Sequence, residues 1–130
     1  MAWAAPAIGI EQAVVEARGN PGCGTLHHND TVEQAADIVN RSTYDYLSHR
    51  TGDVPADERN PTAILKDLGI TTTQAISLQG AAKSEADAIK GALLQGYKAI
   101  PNCTYSEIGT SRLYEEQSGY VLVVIILVGR

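Results

Sequence analysis

The chain has 130 residues and a net charge of −5, with 44% hydrophobic and 19% charged residues. Its length fits one domain, and its hydrophobic content is typical of a folded chain rather than a disordered one. It has no basic stripe that could neutralise a run of phosphates, so nucleic acid and anionic membrane surfaces are not expected partners. The longest apolar run, 121–128, is far shorter than the roughly 20 residues of a transmembrane helix.

Four helices are predicted from apolar residues that recur at helical spacing. The first is followed by Gly-Asn-Pro-Gly, a segment that breaks helices. The second has the clearest apolar face, and a capping box formed by Asp30 and Glu33 can start it. Thr31 and Gln34 are the alternative capping pair. The predicted ranges are 8–18, 30–48, 61–69 and 84–96.

The C-terminal third is predicted to be β-structure. Segments 104–114 and 120–128 flank a five-residue loop that ends in Gly119, which indicates a hairpin. Segment 70–78 is rich in Thr and is predicted to be a further strand or an extended segment. Because 120–128 is apolar on both faces, we expect it to lie centrally in its sheet and to be covered by helices on both sides. The predicted class is therefore α+β, with an antiparallel sheet between helical layers.

Two features indicate export. Ala2-Trp3-Ala4 has the A-x-A form of a signal-peptide cleavage site, so we expect an exported precursor that is cleaved close to this point. The chain also has a single pair of cysteines, Cys23 and Cys103, which in an exported protein predicts one disulfide. Such a bridge would stabilise the fold by about 4 kcal/mol in the chain-entropy description. Two free buried thiols are the alternative.

Several short motifs occur in a consistent order along most of the chain: Arg18, Val-Glu-Gln-Ala-Ala at 32–36, Ser-His-Arg-Thr-Gly at 48–52, the Gly-terminated helix at 64–70, and Tyr-Ser-Glu-Ile-Gly at 105–109. In this order the chain resembles the CAP superfamily (cysteine-rich secretory, antigen 5 and pathogenesis-related 1, or SCP-like proteins), and more closely its short bacterial exported members. The resemblance implies an α-β-α sandwich that forms one domain over 8–130, after an N-terminal tail at 1–7.

Many members of that superfamily have a cleft with two histidines and two acidic residues that can bind a divalent metal. Only His49, within Ser-His, matches this tetrad. The stretch that corresponds to the acidic position, 73–80, contains no acid, and the region of the second histidine, 94–98, is shortened. The tetrad is therefore degenerate, and neither a metal site nor a cofactor is predicted, because catalytic zinc usually has three protein ligands.

His49 is the candidate residue for catalysis or ligand binding, because its ordinary pKa suits proton transfer near neutrality. A structural role at the end of the second helix is the alternative. Glu107 is the second candidate for ligand binding, in a carboxylate cluster near His49 with three acids of the preceding loop. Solvated acidic side chains are the alternative to that cluster. The three acids are Asp53, Asp57 and Glu58.

The adjacent pair His27 and His28 is predicted to be solvated, because neighbouring side chains point in different directions and rarely bind one ion together.

Two functions of different class follow. The first is an exported, non-catalytic domain, secreted or in the cell envelope, that binds a lipid or small apolar ligand in a groove between helices, or binds a protein partner. The second is a hydrolase or metal-dependent enzyme that uses His49 with nearby carboxylates. The incomplete tetrad favours the first, so the protein is not expected to be an enzyme.

Overall fold

Four helices and four strands follow one another in the part of the chain that the computed structural model describes, residues 6–19, 23–49 and 61–129. The helices are α1 (Pro6–Arg18), α2 (Asp30–Leu47), α3 (Thr62–Asp67) and α4 (Glu85–Gln95). The strands are β1 (His27–His28), β2 (Gln74–Ala82), β3 (Tyr105–Glu115) and β4 (Tyr120–Gly129). The predicted α+β class is confirmed. Among the described residues, no helix has the length and apolar character needed to cross a bilayer.

The sheet has the strand order β1-β3-β4-β2, so β4 lies between β3 and β2 and pairs with both. Both of these pairings are antiparallel, and every residue of 121–129 is buried. The predicted hairpin and the predicted central strand are therefore confirmed. The sheet is not wholly antiparallel, because the two-residue strand β1 pairs with β3 in parallel. The short polar segment that forms β1 has no strand signal of its own, and only its place beside β3 makes it a strand.

The second strand begins later than the Thr-rich segment predicts. β2 spans Gln74–Ala82, whereas 70–78 is the range that the sequence indicates. The hydroxyl of Thr72 donates to the carbonyl oxygen of Gly129 at 2.6 Å and accepts from the N–H of Gln74 at 3.0 Å. These side-chain hydrogen bonds take the place of ladder pairing at the start of the segment.

Helices cover both faces of the sheet, as the α-β-α arrangement requires. On one face, side chains of α1 and α4 pack against Val123, Ile125 and Leu127 of β4. On the other face, side chains of α2 and α3 pack against Val124, Ile126 and Val128. Each fully buried aliphatic side chain contributes about 1.5–3 kcal/mol, so the alternation along β4 holds both helical layers in place.

The disulfide predicted from the cysteine pair is present. Cys23 and Cys103 are bonded, with their Cα atoms 4.7 Å apart and a sequence separation of 80. Nearby, the buried Arg18 at the end of α1 donates from Nη2 to the carbonyl oxygen of Tyr105 at 2.8 Å. The hydrogen bond joins the end of α1 to the start of β3, and the disulfide joins the segment that follows α1 to the segment that precedes β3.

Candidate functional site

The N-terminal end of α2 is capped by Asn29, which has extended backbone angles as the chain leaves β1. Its Oδ1 accepts hydrogen bonds from the N–H groups of Thr31 and Val32, at 2.9 and 3.2 Å. The cap therefore lies one residue before the first of the two predicted capping boxes. Because Asn29 accepts the hydrogen bonds of the first free N–H groups of the helix, the carboxylates of Asp30 and Glu33 are not needed as caps. They face a neighbouring side chain instead.

That neighbour is His28, whose imidazole lies between three carboxylates. Its Nδ1 is 2.5 Å from Oε2 of Glu11, on α1. Its Nε2 is 2.9 Å from Oδ1 of Asp30 and 3.5 Å from Oε1 of Glu33. The hydrogen bond with Glu11 is the main cause that raises the pKa of His28; partial burial opposes it and the bond with Asp30 adds to it.

This cluster joins side chains from α1, β1 and α2. Among the described residues, Glu11, His28 and Glu33 are the one group of His, Cys, Asp or Glu side chains that offers three possible metal ligands within 4.8 Å of one another. Both His27 and His28 are exposed, as the sequence predicts, but His28 also contacts three carboxylates, and Glu33 is one of these rather than part of a helix cap. The sequence pattern that indicates this cluster is His-x-Asp-x-x-Glu at the start of α2. Its two acids are three residues apart, so their carboxylates are neighbours on one face of the helix.

Glu107 lies at the same end of α2, next to the other histidine. It pairs in register with the exposed His27, and its Oε1 accepts from Nδ2 of Asn29 at 2.6 Å. Glu107 therefore supports the residue that caps α2. This position follows from the parallel pairing of β1 with β3.

His49 lies at the opposite end of α2. It is exposed, its φ is +60°, and its N–H donates to the carbonyl oxygen of Tyr46 at 3.1 Å. The 18 residues of α2 span about 27 Å. Because Glu107 is beside the first turn and His49 follows the last, the structure does not bring these two predicted site residues together, and the expected cluster of both is wrong. The loop acids at 53, 57 and 58 lie outside the described residues.

A carboxylate that contacts this end of α2 is that of Glu115, which the sequence places in a predicted hairpin loop. It is buried and accepts hydrogen bonds from the hydroxyl of Ser48 and from the N–H groups of Gln117 and Ser118, at 2.9, 3.1 and 2.7 Å. Burial acts to raise its pKa, but the hydrogen bonds outweigh burial and lower the pKa to about 2. Glu115 holds the hairpin turn against α2. Its signal was the Glu-x-x-Ser-Gly turn, in which a side chain can bond to backbone N–H groups that follow.

A groove of about 600 Å³ runs along α2 beside the outer edge of β3. This volume is typical of small-molecule sites. The groove has an apolar part formed by Ile38 and Leu68, and a polar part in which the hydroxyl of Ser111 donates to Asp37 at 3.3 Å. The complete described lining is Glu33, Gln34, Asp37, Ile38, Leu68, Thr110, Ser111 and Arg112. Glu33 belongs both to this groove and to the His28 cluster.

These features define a disulfide-linked α-β-α sandwich with a mixed polar and apolar groove. No family model and no curated protein matches the sequence. Among solved structures, the chain is similar to an outer surface protein from Borrelia burgdorferi, with 18% identity and a TM-score of 0.68. The similarity covers 93% of this chain and 90% of that one. It shows a shared fold over almost the whole length of both proteins.

Proposed function

We propose that the chain is an exported, non-catalytic domain of the CAP type that binds a lipid or another small molecule with a large apolar part. Two observations support a location outside the cytoplasm. Disulfides persist in oxidising compartments, and Cys23 and Cys103 are joined. In addition, the protein with the similar fold is an outer surface protein.

The groove along α2 is the observation that carries the binding proposal. Ile38 is 46% exposed at its wall, although it is a large aliphatic side chain on an otherwise polar helix face. An alkyl chain or ring that covers Ile38 and Leu68 would remove this apolar surface from water, which favours binding by about 25 cal/mol per Å². The polar side chains at the other wall would orient the polar end of the same ligand.

The positions of the candidate site residues support a non-catalytic function. His49 and Glu107 lie at opposite ends of α2, so they cannot act on one substrate. Glu115 accepts its hydrogen bonds from Ser48, Gln117 and Ser118, which hold it in the hairpin turn. Neither acid therefore serves His49 in the manner that the hydrolase alternative requires.

Native mass spectrometry of the full chain from an exporting host tests the proposal, with palmitate as the added probe. We expect a non-covalent palmitate adduct, and a mass that is lower by the two thiol hydrogens unless reductant is added. Ile38→Glu should abolish the adduct. Val15→Glu is the matched control, because Val15 is 52% exposed on α1, on the other face of the sheet. Equal loss in both variants, or no adduct with the wild-type protein, would contradict lipid binding in the groove and leave a protein partner as the function to test.

A further inference from the structure

One edge of the sheet is formed by β2, and part of this edge is open. On the side of β2 away from β4, no strand of the described chain follows. The N–H of Gln79 points to that side, because it donates to Oε1 of Gln95 at 2.7 Å. Backbone groups alternate in direction along a strand, so the N–H and carbonyl oxygen of the exposed Ala81 also point outward. Ser77 is only 1% exposed, so the edge is open from Gln79 onward.

A cavity of about 160 Å³ lies beside this open edge, on the side of the sheet that α2 covers. Its walls include Asn40 and Thr43 of α2, residues 79–81 of β2, and Leu122 of β4. Sites for whole small-molecule ligands measure roughly 300–1,000 Å³, so this cavity suits a single side chain. None of its described lining residues is charged, and a charged group in it would therefore lose its hydration without gaining an ionic partner.

The unpaired polar group in the wall of this cavity is the side-chain oxygen of Asn40. This residue is 2% exposed, and its Nδ2 donates to the hydroxyl of Ser111 at 3.1 Å and to the carbonyl oxygen of Leu122 at 2.9 Å. Since a carbonyl oxygen can only accept, these bonds use the two amide hydrogens. Among the described residues, none donates to Oδ1. Buried acceptors are normally paired, so Oδ1 needs an N–H or O–H donor from outside the described fold.

We propose that an extended segment of a partner protein binds at the open end of β2 as an added strand, with an asparagine or glutamine side chain in the cavity. The main chain of the segment would pair with the N–H and carbonyl oxygen of Ala81, a common mode of peptide recognition. The amide N–H₂ of the inserted side chain would donate to Oδ1 of Asn40. The hydroxyl of Thr43 can donate to the oxygen of the same amide.

A second copy of this chain does not fit at this edge. α4 packs directly on β2, with Gly80 against the backbone of Ala88 and Ala92. Paired strands lie about 4.7–4.9 Å apart, whereas the axes of packed helices need about 8–10 Å. Antiparallel pairing of two β2 strands over 79–82 would place both α4 helices on one face, closer together than this. The occupant is therefore a segment that has no helix of its own over the strand.

A titration followed by nuclear magnetic resonance tests the proposal on the full, disulfide-linked chain. The probe is a capped nine-residue peptide in which threonine and valine alternate around a central asparagine, with a lysine at each end. We expect saturable shifts at the amide of Ala81 and hydrogen exchange of that amide that is slower by about tenfold or more. A peptide with aspartate in place of the central asparagine should bind about tenfold or more weakly, because its charge is desolvated in the cavity.

Methylation of every second amide nitrogen of the peptide tests the strand pairing. It can be made in two phases, one of which blocks the edge of the peptide that faces β2. That phase should weaken binding by about tenfold or more, whereas the other phase should leave it unchanged. The difference separates an added strand from non-specific adhesion, because the two peptides have the same composition and charge.

Variants of the protein test the cavity and the edge separately. Thr43→Val removes the cavity hydroxyl at nearly constant shape and should weaken binding by about three- to tenfold. Thr31→Val is the matched control, because Thr31 lies in the first turn of the same helix and outside the cavity. Ala81→Pro removes the outward N–H and should weaken binding by about tenfold or more, and proline is tolerated in edge strands. Thermal unfolding verifies that each variant is folded.

Four outcomes would overturn the proposal: no binding of the peptide to the folded wild-type chain, equal binding of the two methylated peptides, equal loss in Thr31→Val and Thr43→Val, or shifts at Ile38 of the groove instead of at Ala81. Palmitate should not compete with the peptide, because the groove lies beside β3, on the other side of β4 from β2. The two proposals therefore fail separately.

Discussion

Gly80 of β2 lies directly against the backbone of α4, and replacing it tests the packing of this helix on the sheet. A Cβ atom at Gly80 would overlap the carbonyl oxygen of Ala88 and lie 2.8 Å from the nitrogen of Ala92. Both are backbone atoms of α4, so no side chain can rotate away. Relief requires the helix to move by roughly 1 Å, and overpacking of this kind costs about 1–3 kcal/mol. We expect Gly80→Ala to lie at the upper end of that range.

Gly91→Ala is the matched control on the facing helix. A Cβ atom at Gly91 would be 3.7 Å from Cα of Gly80, which is an ordinary contact. Gly91 lies inside α4 and is exposed, so alanine should stabilise the helix by about 0.5–1 kcal/mol through its better helix propensity. The two substitutions, which add the same methyl group to the same interface, should therefore change stability in opposite directions.

Urea unfolding followed by far-ultraviolet circular dichroism measures both variants. When the m-value is unchanged, the shift in the midpoint multiplied by m gives the change in the free energy of unfolding. For a chain of this length, a loss near 3 kcal/mol corresponds to a fall of roughly 10–15 °C in Tm. If Gly80→Ala unfolded at the wild-type midpoint, the backbone contact between β2 and α4 would be refuted. A loss in Gly91→Ala as large as in Gly80→Ala would refute the assignment of the clash to Gly80.

Three further predictions concern the polar and covalent contacts. Because the folded pKa of Glu115 is lowered from its ordinary value of 4.5 to about 2, its contribution to stability is present above about pH 4.5 and is lost as the pH falls towards 2. Glu115→Gln should therefore reduce the dependence of the urea midpoint on pH over that window. A pH dependence equal to that of the wild type would contradict this role of Glu115. The double variant Cys23→Ser with Cys103→Ser should lose about 4 kcal/mol and become insensitive to reductant, and a wild-type midpoint in this variant would contradict the role of the disulfide. Arg18→Met should destabilise by about 1–3 kcal/mol in the same assay by leaving the carbonyl oxygen of Tyr105 without its donor, and no change would show that water replaces the guanidinium.

The sequence by itself determines the four helices, the C-terminal hairpin and the class of the fold. The apolar run of β4 predicts a central strand because every position must be covered, and the helical spacing of Val32, Ala35, Ala36 and Val39 predicts α2. Both patterns show which face of an element is covered by apolar side chains. They can be recognised in the sequence without knowing which other element supplies those side chains. The disulfide is readable for a similar reason, since the chain offers only two cysteines.

The tertiary structure decides which polar side chains meet. Glu11, His28 and Glu33 are brought together by the packing of α1 and α2 around a two-residue strand, and no local pattern specifies that packing. His49 follows the last turn of α2, whereas Glu107 lies on β3 beside the first turn. The length of α2 therefore keeps the two side chains apart. Polar contacts depend on distances of a few ångströms between separate elements. Hydrophobic periodicity determines which face of each element is buried, but it does not determine those distances.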